Sequence, residues 1–161
     1  MDDGCEADLS DLDLPDSTKV GPLPEIMVDG VRVWDLRQMK NVIIQKGIEK
    51  IGNHWFWCCG VESIEIPASV RKIGANAFYK CESLKQVTFV EGSLLERIGE
   101  ACFSGSGITE ISIPSNVTIM GNSAFSNCES LKRIIFAERS RLEKISECCF
   151  QHSGIESITI P

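Results

Sequence analysis

The chain alternates apolar and polar residues in short stretches that return at nearly constant intervals. In the stretch "VESIEIP" from Val61, Ile64 and Ile66 bracket a polar residue. Alternation with a period of two predicts a short β-strand that buries one face. Similar stretches begin at successive spacings of 23, 24, 23 and 24 residues, at Leu84, Ile108, Leu131 and Ile155. The chain is therefore predicted to be built from an internal repeat.

The repeats are of two alternating kinds. Those from Val61 and Ile108 have a short turn after the strand, whereas those from Leu84 and Leu131 have a turn that is two residues longer. The second kind also closes one residue sooner after its Phe. The true period is therefore 47 residues, which indicates that a two-repeat unit was duplicated.

A single short strand has no partner within its own repeat, so it must pair with the equivalent strand of the next repeat, about 4.8 Å away. This predicts an α/β-type repeat solenoid with one short parallel strand per 23- or 24-residue repeat. A Phe recurs after the strand of every complete repeat and is expected in the core, where burial of each ring contributes about 1.5–3 kcal/mol. These residues are Phe78, Phe103, Phe125 and Phe150.

The consensus of the repeats, L-x-x-I-x-I-P-x-x-V-x-x-I-G-x-x-A-F-x-x-C, resembles the leucine-rich repeats of BspA-like surface antigens. The resemblance covers residues 39–161. It implies a curved leucine-rich-repeat solenoid, a right-handed superhelix that works by binding, often in adhesion to host matrix proteins or cells. It implies no catalytic residues and no cofactor.

The N-terminal part of the chain is predicted to differ from the repeats. Extending the register backward places one more repeat from Met39, with Val42 and Ile44 on its strand. Residues 25–38 contain apolar-rich runs on both sides of Asp29-Gly30, a pattern that predicts a type I′ hairpin, and we expect this hairpin to cap the first repeat. Residues 1–24, rich in Asp, Ser and Pro, are expected to form a disordered acidic tail.

Residues 39–161 then hold five repeats and the first strand of a sixth. Because the sequence stops just after a strand, we expect it to be a fragment of a longer array. The alternative is that another molecule covers the last strand, for instance by end-to-end self-association, since an open strand edge invites pairing.

Charge separates the two parts of the chain. Residues 1–38 carry the whole net charge of −7, with ten acidic and three basic side chains. The balanced repeat region has no basic stripe that would bind phosphates, so nucleic-acid binding is not expected. The chain has no run of about 20 apolar residues, so membrane insertion is not expected. Its acidic N-terminus does not resemble a signal peptide.

The stretch "IGNHWFWCCG" at residues 51–60 contains a His and two Cys and suggests a metal or redox site. The repeat register explains it differently, because it places Phe56 in the Phe column and Cys59 in line with Cys81 and Cys128. A Cys that alternates with Ala or Ser in such columns is expected to be a small, buried, reduced thiol. We apply the same interpretation to the neighbouring Cys58 and Cys148.

Two groups could still bind a metal: His54 with Cys58 and Cys59, and the mirrored trio of Cys148, Cys149 and His152. They lie about four repeats apart, roughly 20 Å, so they cannot share an ion, and each offers at most three ligands. No C-x-x-C pair is present. We therefore predict no metal site and no catalytic residues.

The outward-facing strand positions are the best candidates for function, because the sheet of a leucine-rich repeat lines its concave face and curved repeat surfaces bind partners. The competing interpretation is an ordinary solvated sheet face. The candidate residues are Ile43, Ser63, Glu65, Gln86, Thr88, Glu110, Ser112, Arg133 and Ile135.

The leading functional hypothesis is a non-enzymatic protein-binding module, which the family resemblance places in cell-surface adhesion or among surface antigens. The alternative is an intracellular leucine-rich-repeat scaffold, favoured by the missing signal peptide and by unpaired cysteines. A thiol or metal enzyme built on Cys58, Cys59 and His54 is a third class. The sequence names neither the protein ligand nor the compartment. The sequon at Asn116 lies in a predicted turn, and we expect it to be unmodified.

Overall fold

The computed structural model describes residues 27–28, 31–32, 42, 44 and 46–159. In this part of the chain there are twelve β-strands and no helix, and hence no helix that could cross a membrane. Strands β1 (Met27–Val28) and β2 (Val31–Arg32) precede the repeats. The remaining strands alternate between two-residue and longer ones along the chain.

Each repeat contributes a long strand, a turn, a short strand and a run of turns that carries the Phe. The long strands are β4 (Ser63–Ile66), β6 (Gln86–Phe89), β8 (Glu110–Ile113), β10 (Arg133–Phe136) and β12 (Ser157–Thr159). The short strands are β3 (Lys50–Ile51), β5 (Lys72–Ile73), β7 (Arg97–Ile98), β9 (Ile119–Met120) and β11 (Lys144–Ile145).

Strands pair in parallel with the equivalent strands of neighbouring repeats, and the predicted solenoid is confirmed. The short strands form one continuous sheet in the order β11-β9-β7-β5-β3. The long strands form two sheets, β4-β6 and β12-β10-β8. The sequence prediction lacked the second, short strand of each repeat, and the described residues contain no helix.

The Phe column forms a continuous stack through the core. Ring centroids lie 5.0 Å apart for Phe56 and Phe78, 5.2 Å for Phe78 and Phe103, and 5.3 Å for Phe103 and Phe125. Phe78, Phe103 and Phe125 are fully buried, as expected. Phe150 is only partly buried, because the described chain places no further ring against its outer side.

A Gly follows β3, β5, β7 and β9, whereas Ser146 follows β11. At Gly74, Gly99 and Gly121 the Gly is required by the close approach of successive repeats. A Cβ atom built on Gly99 would lie 2.5 Å from the carbonyl carbon of Gly74, and one on Gly121 would lie 2.6 Å from that of Gly99. Real Cβ atoms essentially never lie this close to backbone atoms. The glycine column therefore permits the stacking distance that the strands and Phe rings share.

At the N-terminal end, β1 and β2 pair antiparallel, with Met27 opposite Arg32 and Val28 opposite Val31, as in a tight hairpin. Its role as a cap stays a prediction, and the predicted acidic tail lies outside the described residues. Val42 and Ile44 contribute to the core, but neither lies in a strand, contrary to the expectation for this repeat.

Phe103→Ala should lower the free energy of unfolding by about 3–5 kcal/mol, because it leaves a cavity in the middle of the Phe stack. Phe150→Ala is the matched control, since this ring is partly exposed and its loss should cost clearly less. Urea unfolding followed by circular dichroism measures both values. Equal losses for the two variants would contradict the inferred continuity of the core.

Candidate partner-binding face

The predicted site residues lie on one side of the long strands. Burial alternates along β4 and β8, with the first and third residues exposed and the second and fourth buried. In β10 the third residue, Ile135, is half-buried. Ile43 lies outside the described residues. The exposed members of the predicted set are Ser63, Glu65, Gln86, Thr88, Glu110, Ser112 and Arg133.

Strand register brings these residues together in two groups. Across β4 and β6, Ser63 is opposite Gln86 and Glu65 is opposite Thr88. Across β8 and β10, Glu110 is opposite Arg133 and Ser112 is opposite Ile135. The structure thus places these residues in two parallel columns, as the sequence predicts. A break between β6 and β8 interrupts both columns.

One ion pair neutralises part of the face. Nη2 of Arg133 lies 2.6 Å from Oε2 of Glu110, and both side chains are about half exposed. Such exposed pairs contribute about 0–1 kcal/mol to stability. A second pair, between Lys132 and Glu156 at 3.3 Å, lies beside it. The face around β8, β10 and β12 is therefore polar but carries little net charge.

A cleft of about 880 Å³ opens between β6 and β8. Sequence reasoning missed this feature. Four predicted site residues line it, namely Gln86, Thr88, Glu110 and Ser112, together with the turns that follow the two strands. This volume lies within the usual range of ligand sites, roughly 300–1,000 Å³. The cleft is thus the concave part of the candidate face.

Pro114 contributes to the opening of this cleft. The N–H of Val90 donates to the carbonyl of Ile66 at 3.1 Å between β4 and β6, and the N–H of Ala137 donates to that of Ile113 at 3.0 Å between β8 and β10. The residue at the equivalent position after β8 is Pro114, which has no N–H and cannot donate to the carbonyl of Phe89. The sequence contained a signal for this difference, because the residue after the long strand is Pro in one kind of repeat and Val90 or Ala137 in the other.

The sequon lies at the edge of the same cleft. Asn116 is half-buried, and its Nδ2 donates to the carbonyl of Ser93 at 2.9 Å, which joins the turns after β6 and β8. Attachment of a glycan to Nδ2 would disturb this bond. The observed role of the side chain is therefore to connect two turns.

The column cysteines are buried thiols. The Sγ–H of Cys81 donates to the carbonyl of Phe56 at 2.9 Å, and that of Cys128 donates to the carbonyl of Phe103 at 3.0 Å. Burial raises the pKa of Cys102 well above its ordinary value and raises the pKa of Cys149 to about 12. These thiols stay protonated near neutral pH and offer no thiolate nucleophile.

The cysteine next to the first column differs from this pattern. Cys58 is buried and disulfide-bonded, so the expectation of a reduced thiol is wrong for this residue. The other described cysteines are not disulfide-bonded, and among them Cys148 is exposed. A disulfide partner could not be read from the sequence, because spacing alone does not determine connectivity.

The two His-Cys groups do not form metal sites in the described part of the chain, where no three His, Cys, Asp or Glu side chains converge. The imidazole of His54 stacks on the indole of Trp57, with ring centroids 4.8 Å apart. Trp57 in turn meets Tyr79 edge-on at 5.3 Å. The stretch around residues 51–60 is thus an aromatic flank of the first repeats.

The parallel stacked repeats and the outward strand face define a leucine-rich-repeat solenoid. Residues 49–161 match the BspA type Leucine rich repeat region in six copies, and the chain belongs to this family. No curated protein matches the sequence significantly.

Two solved structures resemble the chain over part of its length. The crystal structure of the pneumococcal vaccine antigen PcpA is 28% identical, with a TM-score of 0.57 over 61% of this chain and 30% of that protein. A leucine-rich cell surface protein from Faecalibacterium prausnitzii is 26% identical, with a TM-score of 0.46 over 67% of this chain and 35% of that one. The chain therefore spans about a third of the length of these proteins.

We expect the free energy of unfolding to fall as the pH rises above about 8.5, the pKa of a thiol in an unfolded chain. Burial raises the pKa of Cys102 in the folded state, so the unfolded state releases its proton first and is favoured as the pH rises. Each such thiol contributes on the order of 1 kcal/mol per pH unit.

Cys102→Ala is the matched variant, because Ala77 and Ala124 occupy the same column. Urea unfolding at neutral and alkaline pH should show a shallower loss of stability for the variant than for the parent chain. Identical slopes for the two proteins would show that Cys102 does not contribute to the pH dependence.

Proposed function

We propose that the chain is a non-enzymatic protein-binding module and that the outward face of the long strands is its binding surface. The main support is the exposure of this face: successive repeats present side chains in register, and among the described members of the predicted set one ion pair is formed, between Glu110 and Arg133. Leucine-rich-repeat regions are typically non-catalytic modules that bind proteins through such surfaces.

A role in cell-surface adhesion or as a surface antigen is the more specific form of this proposal. It is supported by membership in the BspA type family and by similarity to PcpA, which is described as a vaccine antigen. The disulfide at Cys58 also favours an oxidising environment. The competing proposal, an intracellular scaffold, is supported by the free thiols in the core.

The third class, a thiol or metal enzyme, has little support. Cys58 is disulfide-bonded, and burial raises the pKa of Cys59, so neither offers a thiolate near neutral pH. Catalysis by thiols needs a lowered pKa or an adjacent base. End-to-end self-association through the last strand stays a prediction.

Substitutions on the face should separate binding from stability. We expect Glu65→Lys and Ile135→Glu to weaken binding to purified host matrix proteins at least about tenfold, the effect of losing about 1.4 kcal/mol of contact energy. Lys72→Glu is the control, because Lys72 is an exposed residue on the short-strand sheet. Surface plasmon resonance measures binding, and urea unfolding verifies that each variant is folded.

Two results would refute the assignment of this face. One is equal loss of binding for the face variants and for Lys72→Glu. The other is binding of the face variants with the affinity of the parent chain. Labelling of intact cells with an antibody to the repeat region would distinguish the surface proposal from the intracellular one.

A further inference from the structure

The cleft between β6 and β8 exposes two strand edges to each other. β6 is bonded to β4 and β8 is bonded to β10, but β6 and β8 are not hydrogen-bonded neighbours among the described strands. At the base of the cleft, the N–H of Thr109 lies 3.5 Å from the carbonyl oxygen of Lys85. Over the rest of the cleft, residues of β6 and β8 do not pair. In contrast, the residues of the other neighbouring long strands in the described chain pair in register.

The alternation of residues along each strand determines which backbone groups point into the cleft. Gln86 and Val90 donate to β4, and alternate residues of a parallel strand bond to opposite neighbours. The N–H and C=O groups of Val87 and Phe89 therefore point towards β8. By the same argument those of Glu110 and Ser112 point towards β6, because the carbonyls of Thr109 and Ile113 accept bonds from β10 and its flanks.

The solenoid is closed behind the cleft. β7 and β9 pair in register on the short-strand sheet, and the rings of Phe103 and Phe125 stack at 5.3 Å. The two halves of the long-strand sheet are each internally hydrogen-bonded. An inserted strand needs about 4.8 Å on each side, so its binding would require these two halves to move apart at the front of the solenoid while the back stays continuous.

The charges of the cleft differ at its two ends. Lys85 precedes β6 and Glu91 follows it, and both line the cleft. Within the described residues neither forms an ion pair; Lys85 donates from Nζ only to the carbonyl of Glu82, at 3.2 Å. The Glu110 carboxylate at the middle is already neutralised by Arg133. The cleft thus complements a segment with an acidic and a basic end.

We propose that the cleft binds an extended peptide segment of a partner protein, which lies parallel to β6 and β8 and joins the two halves of the long-strand sheet. Main-chain hydrogen bonds to unpaired strand edges supply affinity in this mode of recognition. Gln86, Thr88 and Ser112 provide uncharged hydrogen-bonding side chains at its mouth. The proposal rests on the proposed protein-binding function and narrows its ligand to an extended polypeptide.

A capped heptapeptide, Glu-Thr-Val-Thr-Val-Thr-Lys, is the probe, because its length matches the distance from Lys85 to Glu91 and its charges complement the two ends. In an NMR titration of the whole chain we expect the amide signals of Val87, Phe89, Glu110 and Ser112 to shift. Methylation of alternate peptide nitrogens should weaken binding at least about tenfold, since it removes the main-chain donors. Exchanging the terminal Glu and Lys should weaken it severalfold.

Ser112→Trp places a bulky ring in the cleft and should abolish the shifts. Ser63→Trp is the matched control, because Ser63 occupies the same outward face on β4, away from the cleft. Three outcomes would overturn the proposal: no shifts with the peptide, equal binding of the methylated peptide, or equal effects of the two Trp variants. Shifts of the cleft amides with an oligosaccharide such as maltohexaose, and none with the peptide, would also overturn it.

The titration is independent of the test of the face. If matrix proteins bind through Glu65 and Ile135 and neither the heptapeptide nor Ser112→Trp affects this binding, the face is retained and the peptide cleft is rejected. If the face variants bind like the parent chain while the peptide shifts the cleft amides, the peptide site stands without the broader assignment.

Discussion

The structure depends on one constraint: no repeat can satisfy its strands internally, so every repeat must stack in register on the next. Parallel strands pair at about 4.8 Å, and the Phe rings follow this spacing, with centroids 5.0–5.3 Å apart between Phe56 and Phe125. The glycines after β5, β7 and β9 permit it, because a Cβ atom there would strike the backbone of the preceding repeat. A single stacking distance thus determines the composition of several columns.

The features that repeat were predictable, because each column is sampled several times along the chain. The Phe core and the outward strand face follow from the alternation around residues such as Ile64 and Ile111. The short strands were not predicted, since a two-residue strand is too brief to show a period. The disulfide at Cys58 was not predictable either, because its partner is not determined by the repeat.

The candidate site was predictable only in part, for a related reason. The direction of a side chain such as Thr88 or Ser112 depends on its own strand, whereas the cleft depends on a pair of strands. Pro114 belongs to the consensus and looks unremarkable in its own repeat. Its effect appears only when the neighbouring repeat offers a carbonyl, that of Phe89, for which Pro114 cannot supply a donor.

The 47-residue period consequently creates two kinds of boundary between repeats. Where a strand followed by Val90 or Ala137 stacks on the preceding one, the final ladder bond forms. Where β8, followed by Pro114, stacks on β6, that bond cannot form. β12 pairs with β10 over three residues. The missing donor at Pro114 therefore removes one bond from the boundary between β6 and β8, which are not hydrogen-bonded neighbours among the described strands. A sheet built in this way offers a partner distinct boundaries rather than a uniform surface.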